Sequence, residues 1–391
     1  MNTTTHKRRA WKIVGAIALV LVVAFGVVFL LIGIYDVPKD TTGTPTDQPA
    51  APTKTAIQCV EELPDSVLIG QKLMVAAYND QLNTVQTIVA TKYLNGIIIM
   101  EEIPAASVSS LVQANTIKPT IGVDQEGGTV QRYKSEGAVP GAQQVAATQT
   151  PEQAYQTYLK DAQFLSSVGI TTNFAPVVDV ISESPSPLPG RMYSSDPSVV
   201  TNYATQMIRA SQDAKITPVV KHFPGLGSAS GNTDNGPATT DPLSTLQTRD
   251  VLPYQSLASF KPDAMVNNAT VPGLTNGQPA IWSPEAVSLL RGYGYADSVV
   301  YTDSLTAKAI PGSLDQAALK AWQAGIDVAM VVQTKSQTGE LDSDTTAIIT
   351  LGVSSLQSGA LTKESVTQSV LRILTRKGID PCSIKITSDA Q

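Results

Sequence analysis

From about residue 65 onward, short and nearly continuous apolar runs alternate with longer stretches of helical periodicity. The runs are Leu73–Ala77, Gly96–Met100, Thr120–Val123, Thr172–Ala175, Thr217–Lys221, Ala264–Asn267, Ser298–Thr302 and Asp327–Val332. Each is rich in apolar or β-branched residues, as strands buried on both faces must be. Helical stretches such as Pro151–Ser167, Pro197–Ala214, Leu246–Ser259 and Pro284–Tyr293 separate them. Pro151, Pro197 and Pro284 suit a first helical turn, where a missing N–H costs nothing. Eight strand–helix alternations over about 300 residues predict an α/β fold, a (β/α)8 TIM-like barrel. An open doubly wound sheet is the alternative, but no Gly-rich phosphate fingerprint follows any strand.

In such a barrel, chemistry gathers where strands end. Asp124 and Glu126 follow the third run, and Asn173 and Asp179 flank the end of the fourth. Lys221 and His222 close the fifth, Asn267 and Asn268 the sixth, and Asp303 the seventh. Solvation alone does not account for polar groups at five strand ends.

The N-terminal pattern differs. Ile13–Ile34 is an uncharged, mostly apolar run of 22 residues. As a helix it would span roughly 33 Å, enough for a hydrocarbon core of about 30 Å. Lys7, Arg8, Arg9 and Lys12 precede it with no acid among them, so a cytoplasmic tail is expected at residues 1–12 and an anchor at 13–34. A cleaved signal peptide usually has a shorter apolar stretch ending at a small-x-small site, and no clear one follows here. Residues 36–57 are Thr- and Pro-rich and read as a semi-extended linker. Residues 58–391 then form the barrel domain, facing away from the cytoplasm at the cell membrane.

Charge narrows the partners. The chain has 27 Lys and Arg against 33 Asp and Glu; without the four N-terminal bases the balance is 23 against 33, or −10. Such a surface repels phosphate backbones, so nucleic acid is not expected as a partner. No Cys or His cluster can hold a metal, and no nucleotide cofactor is implied. The two cysteines, Cys59 and Cys382, bracket the globular part. Outside the membrane they can form a disulfide tying its start to its end; two buried thiols are the alternative.

Four stretches in order carry a resemblance: VDQEGGTVQR at 123–132, GRMYSSDP at 190–197, KHFPGLG at 221–227 and VYTDSL at 300–305. Together they resemble the motifs of glycoside hydrolase family 3, in its single-barrel β-N-acetylhexosaminidase branch. The resemblance implies a retaining glycosidase for terminal β-linked N-acetylglucosamine, on cell-wall fragments or other glycans, with no cofactor and a carbohydrate as substrate. It assigns Asp303 as nucleophile and Asp124, Arg132, Arg191, Lys221 and His222 as substrate-binding residues. Plainer roles stand beside these. Asp303 could cap a helix beginning at Ser304, Asp124 and Arg132 could be an ion pair bracing a loop, Arg191 could be a solvated loop charge, and His222 a satisfied core histidine.

The chain departs from the family at Leu226, where His is common, at Thr129, where Arg is common, and above all at the acid/base. The family's Asp-x-His acid/base falls on Asn232 and Asp234, and the only histidines are His6 and His222. Either Asp234 takes over as acid/base, or SASGNTDNGP is only a polar turn. A catalytically silent sugar-binding barrel, or a family 3 glycosidase for a different β-sugar, are the competing functions.

Overall fold

A computed structural model of the chain describes residues 54–135, 137–182 and 186–386. The predicted span at Ile13–Ile34 lies outside them; among the described residues, no helix is long and apolar enough to cross a membrane. Eight strands form a closed parallel barrel: β1 (Leu73–Ala77), β2 (Gly96–Ile99), β3 (Thr120–Val123), β4 (Thr172–Asn173), β5 (Thr217–Phe223), β6 (Asp263–Val266), β7 (Val300–Ser304) and β8 (Val328–Val331). Each pairs with the next, and β8 closes onto β1 through Met74 opposite Met330.

The apolar runs are continuous because both strand faces are buried. Leu73, Val75 and Ala77 of β1 face the surrounding helices, while Met74 and Ala76 point into the barrel. With Ile98, Phe174, Val219, Met265, Tyr301, Val328 and Met330 they fill the interior. Each large side chain buried there contributes roughly 1.5–3 kcal/mol, and a one-residue slip of a strand would turn that set outward. Gly122 of β3 makes room for the Phe174 ring, which would lie 2.6 Å from a Cβ there. Phe174 in turn meets Tyr301 edge-on, ring centres 5.2 Å apart.

Two helical stretches are more broken than their periodicity suggests. The expected Leu246–Ser259 helix divides into Leu243–Leu246 and Leu252–Leu257. Pro253 supplies no N–H and restarts the helix in its first turn. The Pro284 helix ends at Leu290 and passes through a wider turn containing Gly294 at φ 103°. The disulfide is formed: Cys59, in the helix Ala56–Glu61, and Cys382, in the 3₁₀ turn Pro381–Ser383, are bonded with Cα atoms 5.1 Å apart.

Candidate active site

The strand C-termini surround a cavity of about 650 Å³, a size usual for small-molecule sites. Its floor is the top of the barrel's own core, Ile98, Met265 and Met330. Its walls include Asp124, Glu126, Arg132, Arg191, Lys221, His222, Asp234 and Asp303. All six residues assigned by motif therefore converge on one cavity, together with Asp234 and Glu126.

The loop after β3 is organised by a residue the sequence reading left aside. Gln125 donates its backbone N–H to Asn173 Oδ1 at 3.0 Å, and its own Oε1 accepts the N–H groups of Arg132 and Tyr133. This hub folds the loop back so that Asp124, Glu126 and Arg132 all reach the cavity. Gly127 and Gly128 permit the reversal at φ 92° and 61°; a Cβ at Gly127 would lie 2.4 Å from the Pro140 carbonyl oxygen.

Lys221 is the electrostatic centre. Its buried ammonium reaches Asp124 Oδ1 at 2.8 Å and Glu126 Oε1 at 2.7 Å. Burial pushes the Asp124 carboxyl up, but Lys221 and Arg132 outweigh it and hold Asp124 at about 2. Burial likewise opposes the Glu126 charge, yet Lys221 and Arg191 keep its carboxyl below the ordinary value. Arg191 donates to both Glu126 oxygens, each at 2.8 Å. It is thus a braced, mostly buried side chain and not a solvated loop charge. The Asp124–Arg132 ion pair exists, at 3.3 Å, and both members still border the cavity.

Two successive residues of β5, Lys221 and His222, both border the cavity, although strand neighbours normally point to opposite faces. The register of β5 against β6 breaks between Val220 and Phe223, which re-aims the side chains. His222 Nδ1 lies 2.7 Å from Oδ2 of the fully buried Asp179. Asn267 donates to the His222 and Gly225 carbonyls, and Asn268 to the Ser304 carbonyl. These two asparagines spend their amides bracing the neighbouring strand ends.

Asp303 sits within β7, not at a helix start: the following helix begins only at Leu314. The helix-cap role is therefore excluded. Burial raises the Asp303 carboxyl above the usual range; His222 acts against that rise and the charge of Asp234 adds to it. Asp234 lies in the loop after β5 and is exposed. Its backbone N–H donates to Asn232 Oδ1 at 2.9 Å, so Asn232 shapes the turn through the main chain. The tip is pinned across the cavity, with Ala309 N–H donating to the Thr233 carbonyl at 3.1 Å.

Of the four carboxyls, Asp124 and Glu126 are clamped by cations. Asp303 and Asp234 are not, and the charge of Asp234 adds to the rise at Asp303. Two unclamped carboxyls in a cavity lined by charged and polar groups suit glycosidic cleavage, and barrel and mouth together define the class, a glycoside hydrolase. The chain belongs to glycosyl hydrolase family 3: the model of the "Glycosyl hydrolase family 3 N terminal domain" matches residues 69–376. It is β-N-acetylhexosaminidase-like. It is 34% identical over 368 residues to the beta-hexosaminidase LpqI of Mycobacterium tuberculosis, covering 88% of this chain and 92% of that one. The solved structure of M. tuberculosis LpqI superposes with a TM-score of 0.76 at 33% identity, over 83% of this chain and 97% of that one. A glycosyl hydrolase of the same family from Mycobacterium smegmatis gives a TM-score of 0.75 at 33% identity, over 81% and 98%.

Proposed function

We propose that this protein is a membrane-anchored, extracytoplasmic glycosidase that removes terminal β-linked N-acetylglucosamine with retention of configuration. The observation that carries the reading is the division of the cavity's carboxyls into a clamped pair and a free pair. Asp303 attacks the anomeric carbon and forms a glycosyl–enzyme ester while Asp234 gives its proton to the departing oxygen. Asp234 then takes a proton from the water whose oxygen displaces Asp303, and the sugar leaves. Asp124 and Glu126 cannot supply that proton, because neighbouring cations hold both ionised. Asp124, Arg132, Arg191, Lys221 and His222 grip the hydroxyls and the ring. The β-hexosaminidase relatives support an N-acetylhexosamine, and a wall-facing location suits cell-wall fragments. The Cys59–Cys382 bridge supports that location, with Ile13–Ile34 as the anchor.

The test is mass spectrometry of the protein after incubation with a fluorinated, slowly released N-acetylglucosamine-type donor. A mass adduct mapping to Asp303 is expected. No adduct, together with no hydrolysis of any β-glycoside in a panel, would leave only a sugar-binding barrel. For Asp234, replacement by Ala should slow substrates with poor leaving groups by about 10²–10⁴-fold and activated aryl glycosides far less. Equal slowing of both would remove Asp234 from the acid/base role.

A further inference from the structure

Asp234 stands on a stretch with little apolar area to bury. From Ser228 to Pro237 the loop after β5 reads SASGNTDNGP, small or polar throughout. Hydrogen bonds must therefore fix it. Its neck is closed where the Asp241 N–H donates to Ser228 Oγ at 2.9 Å and the Thr239 N–H to Ser230 Oγ at 3.0 Å. Its flank joins the loop after β6, with the Thr240 N–H donating to the Thr270 carbonyl at 3.0 Å. Its tip joins the loop after β7 through Thr233 and Ala309.

At Asp241 a side chain ties the loop further. Arg249 Nη2 donates to Asp241 Oδ2 at 2.9 Å, and Arg249 Nε donates to Asp250 Oδ2 at 2.7 Å. Asp250 is fully buried and backs onto Gly225, where an added Cβ would lie 2.5 Å from the Asp250 Cβ. Burial raises the Asp250 carboxyl to about 7, and Arg249 opposes the rise. One planar guanidinium thus links a fixed point under the turn that ends β5 to the returning limb of the loop that carries Asp234. Neither Arg249 nor Asp241 lines the cavity, whereas Asp234 does. Both also lie outside the four stretches that carry the family resemblance. An acid/base works only within hydrogen-bond reach of the leaving oxygen, and a misplacement of about 1 Å can cost about a hundredfold in rate.

We propose that Arg249 is the positioning residue of the acid/base: anchored on Asp250, it holds Asp241 and with it the loop that keeps Asp234 at the cavity. Arg249 touches neither the sugar nor the reacting atoms. The part played by Asp234 rests on the glycosidase reading; the clamp on the loop does not.

Two measurements on the full-length protein in detergent test this, each with Arg249→Leu and Asp241→Ala. The first is the dependence of kcat/KM on the leaving group across a series of aryl and alkyl β-N-acetylglucosaminides. Both variants should slow substrates with poor leaving groups at least about tenfold more than activated aryl ones, because only the former need the acid. Added to Asp234→Ala, either substitution should slow the poor substrates by no more than about twofold further, since the two act through one group. Equal slowing of both substrate classes, no slowing at all, or losses that multiply in the double variants would each overturn the proposal.

The second measurement is amide hydrogen exchange with no sugar present. In both variants the amides of Thr239, Thr240, Asp241 and Ala309 should exchange at least about tenfold faster, with the barrel strands unchanged. Wild-type exchange at these four amides in a folded variant refutes the clamp. If Arg249→Leu does not fold, Asp241→Ala, made at a partly exposed side chain, decides alone. If Asp234→Ala itself slows both substrate classes alike, or if the protein hydrolyses nothing, it is the glycosidase reading that fails, and the exchange measurement alone decides on the clamp.

Discussion

Asp303 is held in an environment that disfavours its charge, which is the state a nucleophile needs. Burial raises its carboxyl and the charge of Asp234 raises it further, with His222 opposing both. A nucleophile must be ionised, so kcat/KM should fall as pH drops through that raised value. The acid limb of the pH profile is expected clearly above the ordinary aspartate value of about 3.9. The sign for stability is the reverse of that for a clamped carboxylate. A raised carboxyl costs folding free energy where it is ionised, and the cost vanishes below its unfolded value. Asp303→Asn should therefore lower hydrolysis by about a thousandfold or more yet raise the melting temperature at neutral pH, the gain fading as pH approaches 4. A variant that melts lower at neutral pH than the wild type would count against this strain. At this scale the sequence placed residues such as Glu126 and Asp179 at strand ends but did not say which side chains they would brace. Asp179 meets His222 across 43 positions and Arg191 meets Glu126 across 65, so pairing by distance in space left no local pattern. Asp179 stood out as a lone acid in the apolar stretch VVDV, and a buried carboxylate must have partners, but its partner His222 lies on the next strand and was not read.

The strands were legible because burial on both faces leaves an unbroken apolar signature. β1 and β3 fall where that signature predicts, as does the helix Pro151–Ser167. β4 is only Thr172–Asn173, while β5 runs on to Phe223 and β7 to Ser304. Both extended strands carry a register break, one beside Lys221 and His222 and one beside Asp303. A break of that kind depends on the neighbouring strand and has no signature of its own. The opposite rim of the barrel is built for rigidity. Asp327, just before β8, is fully buried and accepts from Arg291 at 2.6 Å, Arg372 at 2.8 Å and the Val300 N–H at 2.8 Å. Burial opposes its charge, but Arg291 and Arg372 outweigh it and hold the carboxyl below the usual range. Asp327→Asn strips two guanidinium groups of their counter-ion and should cost about 3 kcal/mol or more in chemical denaturation. Since Asp327 sits at the barrel end away from the cavity, kcat/KM of the folded variant should stay within about twofold of wild type at 25 °C. A large fall in kcat with unchanged stability would contradict this division of labour between the two rims.

At the scale of the whole molecule, the barrel closes through β1 and β8, and the chain ends are tied a second time by the disulfide. The bond joins residues 323 positions apart. Chain-entropy reasoning assigns more stabilisation to longer loops, yet measured bridges typically contribute about 2–4 kcal/mol. For a domain of this size that corresponds to roughly 3–6 °C of melting temperature. Both half-cystines lie in peripheral elements, a two-turn helix and a 3₁₀ turn, and neither borders the cavity. The double variant Cys59→Ser with Cys382→Ser should therefore melt lower by that amount while keeping its kcat/KM at 25 °C. Treating the wild type with a thiol reductant should bring it to the same melting temperature, and the double variant should not respond to the reductant at all. Equal melting of the oxidised and reduced wild type would mean that barrel closure already holds the ends together and that the bridge adds no thermodynamic stability. A loss of activity on reduction would instead mean that the ends communicate with the cavity, contrary to their placement outside it.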